Sequence, residues 1–385
     1  MKSIKSDLIA AFEKQSWVCI TADIWSANNK SYLGVTCHYI NENYQRKSYM
    51  LACKRIMFAH THSVIANALY EVHKEYNLKL KVVDTITDNA ANFAKAFQVF
   101  QTEQSVSLLD ELDDPEANII TIDLESNLDD ESEVSLPKQF RCIAHTLNLL
   151  ASHDSLKAQN DQSYCKIYTS IFRKATDIWN LVSRSTKTAD IFYDICKCRL
   201  KIPCKTRWNS FYDSIKAILN VKKHLEDVCE KLEKPKFTDC QISFMEEYIK
   251  VMEPIASALD FLQGDKNSCF GHVLPVLFQI KHQLEKLEHL RFCKILRDTL
   301  LMALDKRFKS IIDLTNAYSR YYILATISIP KLKLKWLAMS HYPNSKQLCE
   351  NVLLDEAESF LCKDTDNVEV DLMRIFFFLF YTIKI

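Results

Sequence analysis

The sequence predicts an α/β (α+β) fold: a small sheet with its helices within residues 1–153, followed by a long all-α region. Three observations point there. Apolar and β-branched runs alternate with turn residues in the order β-β-β-α-β-α, then β-α after an acidic stretch. From Asp154 to Leu324 the apolar spacing is helical nearly throughout. Glycine is scarce: 385 residues contain 3 Gly and 8 Pro, where ordinary usage gives about 27 Gly. That scarcity excludes collagen-like, Gly-rich linker and tight-hairpin β architectures and favours a helix-rich chain. The content, 48% hydrophobic and 25% charged, suits one large or two ordinary domains.

The elements follow in order. Met1 to Gln15 reads as a short amphipathic helix, without the apolar core and cleavage site of a secretory signal. Trp17–Thr21, Tyr32–Ile40 and Lys47–Lys54 read as a three-stranded meander with NENYQ as one turn. Thr61–Tyr76 carries Val64, Ala68, Leu69 and Val72 at helical spacing. Leu80–Thr87 is a further apolar strand, leading into a helix over DNAANFAKAFQVF that Asp88 or Asn89 caps. Lys138–Ile143 is the last short strand, and Ala144–His153 a helix. Three antiparallel strands followed by α-β-α-β units is the order of an RNase H-like core. The expected organisation is 1–102 for the first part of that core, 103–136 for an acidic disordered loop and 137–153 for the last strand and helix. An all-α insertion domain over 154–340 and an atypical tail over 341–385 complete it. The insertion is broken near Pro203, Pro235 and Gly264–Gly271.

Formal net charge is zero, but residues 103–136 hold 12 acids and no Lys or Arg. The remaining chain has 49 basic against 37 acidic residues, a surplus of 12. Such a surplus attracts a polyanion, although a solvated lysine-rich surface explains it equally. The 14 cysteines include no CxxC pair and fit free thiols in a reducing compartment. No apolar run reaches the ~18 residues that span a bilayer, so no membrane partner is expected. The absence of GxxxxGK[ST], GxGxxG, GxSxG and HExxH argues against a nucleotide cofactor and the matching hydrolases.

Asp23, in ITADIWS, and Asp88, in TITDNAANF, each stand at the C-terminal end of an expected strand. Adjacent strands would bring the two carboxylates together, where they could hold Mg²⁺ or Mn²⁺ as hard oxygen ligands for phosphoryl transfer. The plainer alternative is that each Asp caps the following helix. Cys142 and His145 form a CxxH pair at a strand-to-helix junction. With no second half at a suitable distance, a buried thiol beside a hydrogen-bonded imidazole is favoured over metal, and no zinc is expected. KCRLKIPCKTRW, residues 197–208, has five basic residues including Lys205 and Arg207, no acid, and ends at Trp208. That pattern suits nucleic acid, cations meeting phosphates and the indole an unpaired base, although a lone Trp is more often core.

In order and separation, ITADIWSANNKSYLGVTCHYI, TDNAANF, RCIAHTLNLL and TRWNSFYDS resemble the catalytic region of hAT-type DNA transposases and their domesticated BED-finger relatives. KRFKSI and ATISIPKLKLKWL are similar to the end of that family's helical insertion. The resemblance runs over about residues 10 to 340. It implies metal-binding catalytic roles for Asp23 and Asp88, and a place beside the scissile phosphate for Cys142 and His145. For Arg207 and Trp208 it implies the RW motif, whose indole stacks on a base flipped out as a DNA hairpin forms, with Lys205 beside it on DNA. DNA (transposon-end or hairpin-like) as partner, the nucleus as location and homo-oligomers in full-length relatives are implied with it.

The sequence also departs from the family. Its third carboxylate, a Glu on a helix after the insertion, has no counterpart: Glu350, Asp355, Glu356 and Glu358 lack the family context. The paired Cys and His ligands of the finger and the dimerisation segment are not found either, and the aromatic tail RIFFFLFYTIKI looks non-homologous. The expectation is therefore a decayed DDE core, inactive alone in strand cleavage and transfer. The alternatives are a non-enzymatic DNA- or protein-interaction module, or an active metal-dependent transposase if a third carboxylate is supplied.

Overall fold

The computed structural model describes residues 2–43, 45–57, 61–88, 91–100, 134–204, 209–264, 269–340 and 344–361. Contacts divide the chain into two units. One comprises Met1–Thr146, Leu262–Pro275 and Ser310–Ile385; the other comprises Leu147–Phe261 and Val276–Lys309. Helical periodicity suggested a single boundary pair at 154 and 340. The structure instead returns two later segments to the sheet-containing unit, because their aromatic residues pack on its last strand.

The first unit holds a five-stranded sheet in the order β3-β2-β1-β4-β5. Its strands are β1 (Val18–Ala27), β2 (Lys30–Ile40), β3 (Arg46–Ile56), β4 (Val82–Thr87) and β5 (Lys138–Arg141). The β1–β2 and β2–β3 pairs are antiparallel, whereas β1–β4 and β4–β5 are parallel. Three helices belong with these strands, α1 (Lys2–Glu13), α2 (His62–Glu75) and α3 (Ala91–Phe100), together with the first turn of α4 (Ile143–Ser152). In α2 the hydroxyl of Thr61 caps the first turn by accepting from the Val64 N–H, and Ile65, Ala66, Leu69, Val72 and His73 are buried. This mixed α/β arrangement has the strand order expected of an RNase H-like core.

Three expectations are corrected. A tight hairpin joins β1 to β2 without glycine: Asn28 and Asn29 adopt φ of 51° and 58°, the left-handed pair that a two-residue turn requires and that Asn tolerates. As a result β1 does not stop at Thr21 but runs to Ala27, and Asp23 lies within it. The acidic stretch, of which 103–133 lie outside the described residues, does not extend through Leu136. That side chain is fully buried and its N–H donates to the Phe100 carbonyl at 2.8 Å.

Glycine serves close approach instead of turns. A Cβ on Gly34 would lie 2.7 Å from Cζ3 of Trp25, and one on Gly271 would strike the Ala325 backbone. No described glycine has a positive φ.

The second unit is helical. It comprises the greater part of α4, a 3₁₀ segment (Asp154–Asn160), α5 (Gln162–Arg184), α6 (Thr186–Cys196), α7 (Ser210–Asn220), α8 (Leu225–Lys231), α9 (Asp239–Leu262), α10 (Val273–Glu285) and α11 (Lys294–Arg307). Its core includes an aromatic ladder in which Phe172 stands 4.0 Å from Tyr168, 4.8 Å from Phe211 and 5.5 Å from Tyr248, ring centre to ring centre. Buried Asp154 pairs with Arg307 and, at 2.6 Å, with Lys157. Burial alone would raise its carboxyl pKa, but the two cations hold it below the ordinary range.

After α11 the chain forms α12 (Lys309–Ile312), α13 (Ser319–Ile327) and α14 (Ser345–Leu361). Within the first unit, Phe140 of β5 meets Phe270 at 5.4 Å, Tyr318 and Tyr321 each at 5.7 Å and Tyr322 at 6.4 Å. Phe270 in turn stacks on Tyr322 at 4.4 Å. Among the described residues no helix is long and apolar enough to cross a membrane.

Candidate functional site

The site follows from where two strands leave the core. The first five residues of β1 are buried and exposure begins at Asp23. On the neighbouring strand Asp84–Thr87 are buried and Asp88 follows directly. The parallel register pairs Ala22 with Thr87, so Asp23 and Asp88 stand level, on strands about 4.8 Å apart, with their side chains on the same face.

Across the antiparallel side Asp23 faces Gly34, and Trp25 faces Tyr32. The two aromatic rings stack at 5.9 Å, with the indole over Gly34 and 38% exposed. Arg55 extends this row on β3, opposite Tyr32.

The other wall is the start of α4. The Cys142 N–H donates to the Thr87 carbonyl at 2.8 Å. Gln139 Nε2 donates to Thr87 Oγ1 at 2.5 Å, and that hydroxyl donates to the Asp88 carbonyl at 2.9 Å. The ends of β4 and β5 are thereby fastened together. Cys142 itself caps α4, its Sγ accepting from the His145 N–H at 3.4 Å.

Electrostatics shows the four residues gathered. Burial raises the Asp23 carboxyl pKa and the Asp88 charge raises it further, while the Ile24 N–H and His145 oppose the rise. Burial pushes the Cys142 thiol up to about 11; the His145 and Ala144 N–H groups oppose this, and the charges of Asp88 and Asp23 add to it. Cys142 is therefore a buried capping thiol whose thiolate form is disfavoured.

Two repelling, partly desolvated carboxylates have the donor chemistry that suits a hard divalent cation. They supply only part of a coordination shell, because among the described residues no group of three or more His, Cys, Asp or Glu is placed to hold a metal ion. Three acids of α14 are engaged elsewhere: Arg320 pairs with Glu356 at 2.7 Å and Asp355 at 3.6 Å, and Glu350 with Lys346 at 3.8 Å.

The structure thus brings Asp23, Asp88, Cys142 and His145 together. Lys205, Arg207 and Trp208 lie outside the described residues, so their expected contact with DNA has no structural counterpart here. Trp25 escaped the sequence reading: its position over Gly34 depends on a cross-strand neighbour, and only the DIW spacing placed it on the Asp23 face.

Residues 21–111 match the family model for the ZBED1 RNase-like domain. That match supports a ZBED/hAT-derived family at a coarse level and agrees with the mixed α/β sheet. It spans β2–β4, α2 and α3 with most of β1, and so includes both Asp23 and Asp88, whereas Cys142, His145 and the helical unit lie beyond it. No curated protein matches the chain.

Proposed function

We propose that the chain is a hAT-transposase-derived nuclear DNA-binding protein, with an RNase H-like core interrupted by the helical unit. Its DDE site is incomplete and does not cut or transfer strands alone. The observation that carries this reading is the level pair Asp23–Asp88 inside the matched segment, with His145 close enough to act on Asp23.

Asp23 and Asp88 would hold Mg²⁺ or Mn²⁺, which when bound supplies charge neutralisation at a phosphodiester. His145 and the first turn of α4 would lie beside that phosphate, where the helix dipole favours an anion. The shortfall is the third acid. Three α14 carboxylates, Glu350, Asp355 and Glu356, are drawn to Lys346 and Arg320 instead.

The test is an incubation of supercoiled and hairpin DNA with the chain and Mg²⁺ or Mn²⁺, alongside a binding isotherm at several salt concentrations. The expected outcome is salt-sensitive binding without nicking, since phosphate contacts release counterions. Nicking that Asp23→Asn abolishes would establish an active enzyme instead. Absence of DNA binding at low salt would leave a protein-interaction module.

A further inference from the structure

Helix α6 ends on a cysteine, and a second cysteine follows one residue later: Cys196, Lys197, Cys198. Lys197 caps the helix in the left-handed region, with φ 53° and ψ 21°, and its N–H donates to the Tyr193 carbonyl at 2.7 Å. These angles are close to the mirror image of a helical residue. One residue of helical curvature, of either hand, sets the Cα atoms of its two neighbours about 5.4 Å apart. That separation falls inside the range of about 4.4–6.8 Å that disulfides span.

The chain is held on both sides of Cys198. Cys196 and Leu200 pack, half-buried, against Phe192, Val221 and Val228, whereas Cys198 between them is exposed. The two thiols also sense each other: burial first, then the charges of Cys198 and Asp227, push the Cys196 thiol up to about 11. Cys198 is thus the sulfur that a solute meets, and Cys196 the shielded, protonated neighbour.

A metal is the poorer fit for such a pair. Two thiols leave a tetrahedral ion half-coordinated, and among the described residues no group of three or more His, Cys, Asp or Glu is placed to hold one.

We propose that Cys196 and Cys198 form a redox-active dithiol that small-molecule disulfides of the glutathione type close into a disulfide across Lys197. The Cys198 thiolate attacks one sulfur of the reagent, forming a mixed disulfide and expelling one thiolate. Cys196 then gives its proton to solvent and attacks the Cys198 sulfur, which forms the internal bond and expels the second thiolate. Two protein thiols are oxidised while one disulfide is reduced to two thiols, so no other oxidant enters. The mixed disulfide removes the Cys198 charge that opposed ionisation of Cys196, and proximity makes the second step intramolecular. A bond across one residue and open to solvent is of the labile kind that excess thiol reopens.

The experiment treats the full chain with glutathione disulfide, alkylates the remaining thiols and reads the tryptic peptides by mass. Trypsin cuts after Lys197 and Arg199, so the internal bond appears as peptide 188–197 joined to 198–199. The exposed thiols Cys53, Cys204 and Cys240 should keep glutathione and so report that the reagent is active. At Cys198 the joined peptides should exceed the glutathione adduct by about tenfold or more, the advantage of an intramolecular step. Excess reduced glutathione should separate them again. In Cys196→Ser, or Cys196→Ala should the first variant not fold, Cys198 should retain glutathione; in Cys198→Ser, Cys196 should stay a free thiol. Glutathione retained on Cys198 in the parent, a Cys198–Cys204 bond in place of the expected one, an unreacted Cys198, or a Cys198 without adduct in the folded Cys196 variant overturns the proposal.

Discussion

Trp25 lies flat across Gly34, the residue that faces Asp23 in the β1–β2 ladder. The indole occupies the volume a side chain on Gly34 would fill, so the aromatic row of the sheet depends on a missing methyl group one strand away. Gly34→Ala should cost about 1–3 kcal/mol, the usual penalty of overpacking. Trp25→Leu combined with Gly34→Ala should recover most of that loss if the clash is the cause. Urea denaturation of the two single variants and the double gives the cycle; full additivity would show that the ring does not constrain position 34.

Asp23 bears a raised carboxyl pKa, from burial first and the Asp88 charge second. A folded-state pKa above the unfolded value means that the folded state holds the proton longer. This contribution to stability is therefore present at low pH and lost as pH rises through the folded pKa. Asp23→Asn should consequently melt higher than the parent at pH 7. Mg²⁺ should raise the parental Tm and leave that of Asp23→Asn or Asp88→Asn unchanged, a readout independent of catalysis. A Tm that does not respond to Mg²⁺ in the parent would show that the pair does not hold the ion.

His73 titrates in the opposite sense. It is 3% exposed, its Nε2 has no hydrogen-bond partner, and burial lowers its pKa from 6.5 to about 4. The unfolded chain takes up this proton first, so stability is complete above about pH 6.5 and falls as pH drops toward 4. The loss should approach about 3 kcal/mol. His73→Leu should flatten the urea midpoint between pH 7 and pH 5 relative to the parent. Equal slopes in the two proteins would assign the acid sensitivity to other groups.

In the helical unit, Asp154→Asn should destabilise by about 3–5 kcal/mol, because it leaves the Arg307 guanidinium, whose side chain is 13% exposed, without its carboxylate. Asp154→Leu combined with Arg307→Leu should lie closer to the parent than either single change. Chemical denaturation of the three variants decides between an obligatory pair and a dispensable one.

The order of strands and helices along residues 1–153 and the place of Cys142 and His145 at a strand-to-helix junction were legible in the sequence, because each depends on local periodicity or on residues next to a strand end. It misled where one residue type substituted for another. Asn28 and Asn29 make the turn that a glycine count seemed to forbid, and β1 lengthens as a result. It gave no sign that Phe270, Tyr318, Tyr321 and Tyr322 would return to Phe140, because apolar spacing along a helix does not name its distant partner. Likewise, the acids of α14 could be seen to lack family context, but Asp355 and Glu356 could not be seen to be held by Arg320.

The return of those aromatic residues to β5 sets a schedule for synthesis. At ribosomal speeds of roughly 5–20 residues per second, Phe140 emerges about 7–26 s before Phe270 and about 9–36 s before Tyr318, Tyr321 and Tyr322. During that interval the sheet has its strands but not the covering over its last one, and its apolar edge is open to solvent and to other nascent chains. Synthesis stopped before Ser319 would yield a product that lacks Tyr321 and Tyr322, and with them part of this covering. The cell's yield of folded protein should therefore depend on elongation rate and on holding chaperones more than on the stability of the finished molecule.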